Sequence, residues 1–424
     1  MESIGFISIL ICILLAALVS RRVQNTAITL PMIYTTMGLL VSPLFFNLVN
    51  INPRSQGLQL VAELTLVIVL ANDAARIGIR QLWRDHSLPQ RLLVIGLPLT
   101  VVLGSLLAAI IFPEISLVEA IILAIVLTPT DASLGQSVVS NPKVPMRIRQ
   151  AINIESGLND GISLPFLLLA IALALDLEVT ISSGRFFTYV VAQIFIGGLV
   201  GVILGYTGMR AIRWGVTSAW MNARFQKISA LALALLAYSL ATYLDGNGYI
   251  AAFVFGLTFG NTFGRIESES LIDFSEMQVD LLMLVTFVLF GAVMLPPALE
   301  MLNPAVVLFA VLSLTVMRML PVWISMIGAK IRPVTTLFMG WFGPRGIASI
   351  LYAFTVLEAK NIPDEGVIYS ATMITVLLSV FAHGITAAPL SNRYGAEMSK
   401  FNKDDLAVVE HQDVPEMPLR LGGG

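Results

Sequence analysis

At 424 residues, of which 57% are hydrophobic and only 12% charged, with a mean hydropathy of +0.85, the chain lies outside the range of soluble domains and reads as an all-α integral membrane protein. The net charge of −2 comes with no basic block, which excludes a nucleic-acid surface as the organising feature. The single cysteine, Cys12, sits in an apolar run, which excludes an internal disulfide and a cysteine-built metal centre.

Apolar runs long enough to span a bilayer fall near 4–20, 26–47, 57–75, 90–112, 116–140, 147–175, 184–214, 226–244, 247–264, 271–294, 303–328, 334–357 and 366–391, about thirteen transmembrane helices in all. Glu2 precedes the first run and Arg21-Arg22 follow it. A cleaved secretory signal has the opposite order, so this run reads as a retained helix with its N-terminus outside. An odd number of spans then puts the C-terminus in the cytoplasm. In that orientation 20 of the 25 lysines and arginines fall in cytoplasmic loops or the tail, three (Arg54, Arg185, Lys360) fall outside, and two (Arg318, Arg345) fall within spans. This is the bias that orients multi-span proteins. In the loop after the ninth span Glu267, Glu269, Asp273 and Glu276 outnumber Arg265, a thin vote in a rule that counts only bases.

Two spans are interrupted. The fifth carries Thr128-Pro129-Thr130-Asp131 in mid-span, and the twelfth carries Phe342-Gly343-Pro344-Arg345-Gly346. Proline removes a backbone donor and clashes with the preceding turn, and glycine weakens the helix further. Such backbone is tolerated at bilayer depth only where protein or a wet cavity covers it. The breaks lie seven spans apart, so the two helices run in opposite directions. That predicts inverted-topology repeats whose broken helices cross near the midplane, where carriers place their sites. Half-helix ends carry partial charge, positive at N-termini and negative at C-termini. Asp131 is placed to offset the former and Arg345 the latter.

The sixth span contains Asn153-Ile154-Glu155-Ser156-Gly157-Leu158-Asn159-Asp160-Gly161. Ionisable groups at that depth cost at least a few kcal/mol each and usually mark function. On a helix, Asn153, Ser156 and Asp160 share one stripe, while Glu155 and Asn159 share another. The two acids therefore face different neighbours.

These motifs, with Glu63-Leu64-Thr65 and Asn72-Asp73-Ala74-Ala75-Arg76-Ile77 of the third span, resemble the bacterial NhaP-type sodium/proton antiporters of the monovalent cation:proton antiporter-1 family, from about residue 4 to 392. The resemblance implies that Asp160 binds the cation or a proton, with Ser156 and the backbone around Thr130 as further ligands. Asp73 matches an acid that completes the site, here followed by alanines where many relatives have glycines. Glu155 matches an acid paired with an arginine two spans before the last, a role that Arg318 fits. Asn159 marks the branch with Asn-Asp, usually electroneutral. One departure is that Pro129 precedes Thr130 instead of following the aspartate, which leaves the backbone ligand open.

The resemblance also implies a homodimer in the inner (plasma) membrane, with a core bundle moving against a fixed scaffold. The expected division is 1–87 and 177–300 for the scaffold, the latter with a linker helix, 88–176 and 301–392 for the ion-binding core, and 393–424 for a short cytoplasmic tail. No cofactor is implied beyond the transported ions.

A monovalent cation takes hard oxygen ligands, which a carboxylate, a hydroxyl and a freed carbonyl supply. Burial raises a carboxyl pKa, so sodium and a proton compete for Asp160. With Glu155 held by Arg318, only Asp160 changes state, which predicts electroneutral exchange. Potassium/proton exchange by the same fold and a cation channel are the alternatives. An intramembrane enzyme is disfavoured, since there is no HExxH motif and no nucleophile-base pair at catalytic spacing. His383 reads as a packing histidine. Glu63, about 15 Å along the helix from Asp73 at ~1.5 Å per residue, reads as lining an outer vestibule, and Glu119 is read the same way. The charged tail from Gly395 reads as a solvated end.

Overall fold

The computed structural model describes residues 2–23, 28–79, 87–131, 134–178, 183–262, 279, 281–359, 362–401 and 409–412. Arg265, Lys360 and the acidic run from Glu267 to Glu276 lie outside them. Among the described residues the chain is helical and has no strand. The helices are α1 (Glu2–Val23), α2 (Leu30–Val41), α3 (Gln56–Ala75), α4 (Ser87–Ile111), α5 (Leu117–Val126), α6 (Gln136–Val139), α7 (Met146–Glu178), α8 (Ser183–Thr217), α9 (Ala223–Tyr243) and α10 (Gly248–Asn261). They continue with α11 (Leu281–Glu300), α12 (Pro304–Ser325), α13 (Pro333–Trp341), α14 (Ile347–Glu358) and α15 (Glu365–Met398). Among the described residues eight helices are long and apolar enough to cross a membrane, and five shorter apolar helices accompany them. Each overlaps one of the apolar runs.

Both interruptions appear as breaks. α5 begins at a capping box, with the Ser116 hydroxyl accepting from Glu119 N–H at 3.2 Å and the Glu119 carboxylate from Ser116 N–H at 2.7 Å. It stops at Val126, just before Thr128-Pro129. The twelfth span divides into α13, which opens on Pro333, and α14, with Phe342 to Gly346 non-helical between them. Glu119 also accepts from Asp364 N–H at 2.9 Å and is buried. It ties the start of α5 to the start of α15, which corrects its reading as a vestibule residue.

Lipid tails are as apolar as leucine, so helices in a bilayer associate through close packing at small residues. Gly256 and Gly260 on α10 press against the carbonyls of Ala71 and Ala75 on α3, where a Cβ at either glycine would lie 2.0 or 2.1 Å from oxygen. Gly197, Gly201 and Gly205 on α8 meet the α10 segment in the same way, and Gly38 of α2 meets Gly291 of α11. The tail reading also needs correcting. α15 runs to Met398, and Glu410, in a short turn of helix at Val409–His411, is 1% exposed.

Gly256→Val should lower the melting temperature in detergent markedly, since overpacking costs about 1–3 kcal/mol even where atoms can shift and here the obstacle is backbone. Gly198→Ala, with nothing within 4 Å of the new Cβ, should melt like the parent.

Candidate functional site

α7 sorts its polar residues as helical geometry requires. On one side Arg318 of α12 holds Glu155 with both guanidinium Nη atoms, Nη2 at 2.8 Å from Oε2 and Nη1 on Oε1. Both side chains are 5% exposed. This bidentate geometry is the strong form of the ion pair, and it makes burial of either charge tolerable. Gly343 permits it, because a Cβ there would meet Arg318 Nε at 2.1 Å.

The two breaks meet and cap each other. Asp131 N–H donates to Pro344 O at 2.8 Å, and Ile347 N–H, at the start of α14, donates to Asp131 Oδ2 at 2.9 Å. In return Arg345, fully buried, donates through Nη1 to the carbonyls of Thr128 and Pro129 just past the end of α5. An anion thus sits at a helix N-terminus and a cation at a C-terminus, the favourable sense for both. A Cβ at Gly346 would lie 2.1 Å from Asp131 Oδ2, so this glycine serves close approach. Thr130 Oγ1 lies 2.9 Å from Ser156 Oγ and accepts from Asn159 Nδ2 at 2.7 Å.

The other side of α7 faces a cavity of about 30 Å³ whose wall includes Asp73, Arg76, Thr130, Asp131, Ser156 and Asp160. One water needs roughly 10–15 Å³ by the same kind of measure. The space suits a small ion with little of its hydration. Asp160, Ser156 and Thr130 are 6%, 4% and 2% exposed. Tyr352 of α14 donates its hydroxyl to the Asp160 carbonyl, and Gly161 abuts the Phe253 ring of α10, which a Cβ would overlap at 2.2 Å.

The structure therefore brings Asp160, Ser156, Thr130 and Asp73 to one cavity and keeps Glu155 and Arg318 apart from it. Glu63 is not in its wall. His383 is buried, with Nδ1 3.1 Å from the Ser379 hydroxyl and Nε2 2.9 Å from Trp341 O, one acceptor and one donor position filled, a satisfied packing residue. Sequence reasoning missed Arg76, counted among the loop bases but buried in the cavity wall, although its place three residues after Asp73 was a signal. It also missed Tyr352, which no motif marks.

The sequence profile of the family described as "Sodium/hydrogen exchanger, transmembrane" matches residues 7–393. A K(+)/H(+) antiporter NhaP of Alkalimonas amylolytica is 23% identical over 418 residues, which cover 96% of this chain and 70% of the relative. A probable Na(+)/H(+) antiporter of Schizosaccharomyces pombe is 26% identical over 66% of this chain, and the chain spans only 41% of its length. The sodium proton antiporter MjNhaP1 from Methanocaldococcus jannaschii shares the fold, with a TM-score of 0.73 at 20% identity, over 90% of this chain and 99% of that one.

Glu155→Ala should destabilise the protein by about 3–5 kcal/mol, because it leaves the Arg318 guanidinium buried without its partner. The double variant Glu155→Leu/Arg318→Met should recover most of the loss in thermal melts.

Proposed function

The chain belongs to the sodium/hydrogen exchanger family of transmembrane proteins, and from that premise we propose that it exchanges a monovalent cation, sodium foremost, for a proton by alternating access. The observation that carries this reading is the small buried cavity in which Asp160 and Ser156 face Asp73 and Thr130. Carboxylates and hydroxyls are the ligands a hard cation prefers. Asp160 binds either the cation or a proton, since each neutralises the same carboxylate. The loaded site crosses, and the bare one stalls, because an uncompensated charge at bilayer depth is costly.

Charge counting favours one-for-one, electroneutral exchange. Glu155 and Arg318 offset one another, and Asp131 and Arg345 are each matched to a helix end. Asp73 has a base, Arg76, in the same wall. The resemblance to the family's ion-binding aspartate makes Asp160 the acid that changes state. The moving body is the core of residues 88–176 and 301–392, working against a scaffold of 1–87 and 177–300 that forms the homodimer contact. The glycine-lined contacts of α3, α8 and α10 suit a rigid scaffold. The membrane is the inner (plasma) membrane, with the N-terminus outside and the C-terminus in the cytoplasm, in keeping with the basic loops. Potassium as the cation is the second reading, favoured by the names of the Alkalimonas relative and of a Shewanella baltica relative that is 25% identical over 78% of this chain.

In proteoliposomes holding a pH gradient, sodium, lithium and potassium added in turn should rank the cations, and Asp160→Asn should abolish the coupled proton movement. Cation movement that persists in the variant, or that is never coupled to protons, would sink the reading in favour of a channel. Competition for one carboxylate also sets the pH dependence. Below the pKa of that carboxyl, the apparent KM for the cation should rise about tenfold per pH unit while the maximal rate holds. Sodium-driven current on solid-supported membranes, scaling with turnover, would overturn the electroneutral stoichiometry.

A further inference from the structure

α13 starts without a local cap. Its N-cap position is Arg332, whose side chain supplies no capping bond, and Pro333 follows. The missing acceptor comes from the end of the chain. Glu410 Oε1 accepts from Arg332 N–H at 2.8 Å and from Thr335 Oγ1 at 2.9 Å, and Thr335 Oγ1 lies 3.0 Å from the Tyr394 hydroxyl of α15. A carboxylate at a helix N-terminus is stabilising by hydrogen bonding and by charge.

The neighbouring residues reach the other half of the bundle. Arg147 of α7 donates through Nη1 to Val409 O at 2.9 Å and to Gln412 Oε1, and through Nη2 to Ser87 Oγ of α4 at 2.9 Å. His411 Nε2 lies 3.2 Å from Met398 O, and the Arg332 guanidinium lies 3.5 Å over the Phe401 ring. Arg147 is 7% exposed and Glu410 1%. So few residues rarely bury two opposite charges on a surface they touch by accident.

We propose that residues 409–412 are a built-in strap that joins the two inverted halves of the core on its cytoplasmic face, and that the strapped bundle is the transporting form. The inference rests on the division into core and scaffold proposed above. α4 and α7 come from the first half and α13 and α15 from the second. Val409 and Gln412 bond to α7, Glu410 to the start of α13 and His411 to the end of α15, while Arg147 carries the link on to α4. A brake has to tie the moving body to the fixed one. Apart from the bond to Ser87, which stands at the boundary with the scaffold, these contacts lie within the moving body, so the segment travels with it and keeps it rigid.

The test compares the full chain, Glu410→Ala, and, as a control, Glu397→Ala, at a half-exposed acid of α15 that pairs with Lys400. Glu410→Ala should raise hydrogen exchange at the Arg332 amide at least tenfold, lower the melting temperature by several degrees, and cut maximal cation-driven proton flux several-fold, with the KM for sodium within twofold of the parent. The control should match the parent. Unchanged amide protection and flux would overturn the strap, and a rise in flux would overturn it in favour of a brake. Should Glu410→Ala fail to accumulate, Glu410→Gln keeps an amide oxygen to accept both bonds and loses only the charge, and a smaller change in the same direction is expected. A parent without cation-proton exchange sinks the transport reading, and amide exchange and melting then still decide whether the strap exists.

Discussion

A peptide group or a side-chain charge at bilayer depth has no water to turn to, and the two interrupted helices meet that constraint by capping each other. Arg345 donates to the carbonyls left beyond α5, while Asp131 accepts from the first N–H of α14 and gives its own N–H to Pro344. Either break alone would leave several polar groups unsatisfied, each at a cost of several kcal/mol. Crossed, they satisfy one another, and the crossing fixes where the rest of the polar chemistry sits.

The buried charges nearby divide accordingly. Glu155 is held by Arg318, and Asp131 and Arg345 are matched to helix ends, whereas Asp160, Asp73 and Arg76 share the cavity wall. The α7 helix makes the separation possible, because its 100° step sends Glu155 towards α12 and Asp160 towards the cavity. Asn159, on the Glu155 stripe, reaches Thr130 and orients the hydroxyl pair beside that cavity.

Glycine does much of the positioning, and it does so by being small. Gly343 and Gly346 let Arg318 and Asp131 approach the backbone, and Gly256 and Gly260 let α10 lie on α3. In a solvent where apolar surface gains nothing by leaving lipid, contact distance is the main source of cohesion. The same economy appears at the start of α13, where a carboxylate from the tail caps a helix that lacks a cap of its own.

The sequence by itself determined the solvent, the helical class, the two breaks and the division of α7 into two polar faces, because hydropathy, proline and the period of 3.6 residues are local properties. The family was legible in the same motifs, and the pairing of Glu155 with Arg318 followed from that resemblance. Only the tertiary structure decided which carbonyls Arg345 takes, that Glu119 ties its locally capped helix to the start of α15, and that Glu410 is buried. Each of these depends on a partner far along the chain, 245 positions separating Glu119 from Asp364 and 75 separating Thr335 from Glu410. No local pattern of charge or spacing carries that information; it comes from the packing of whole helices.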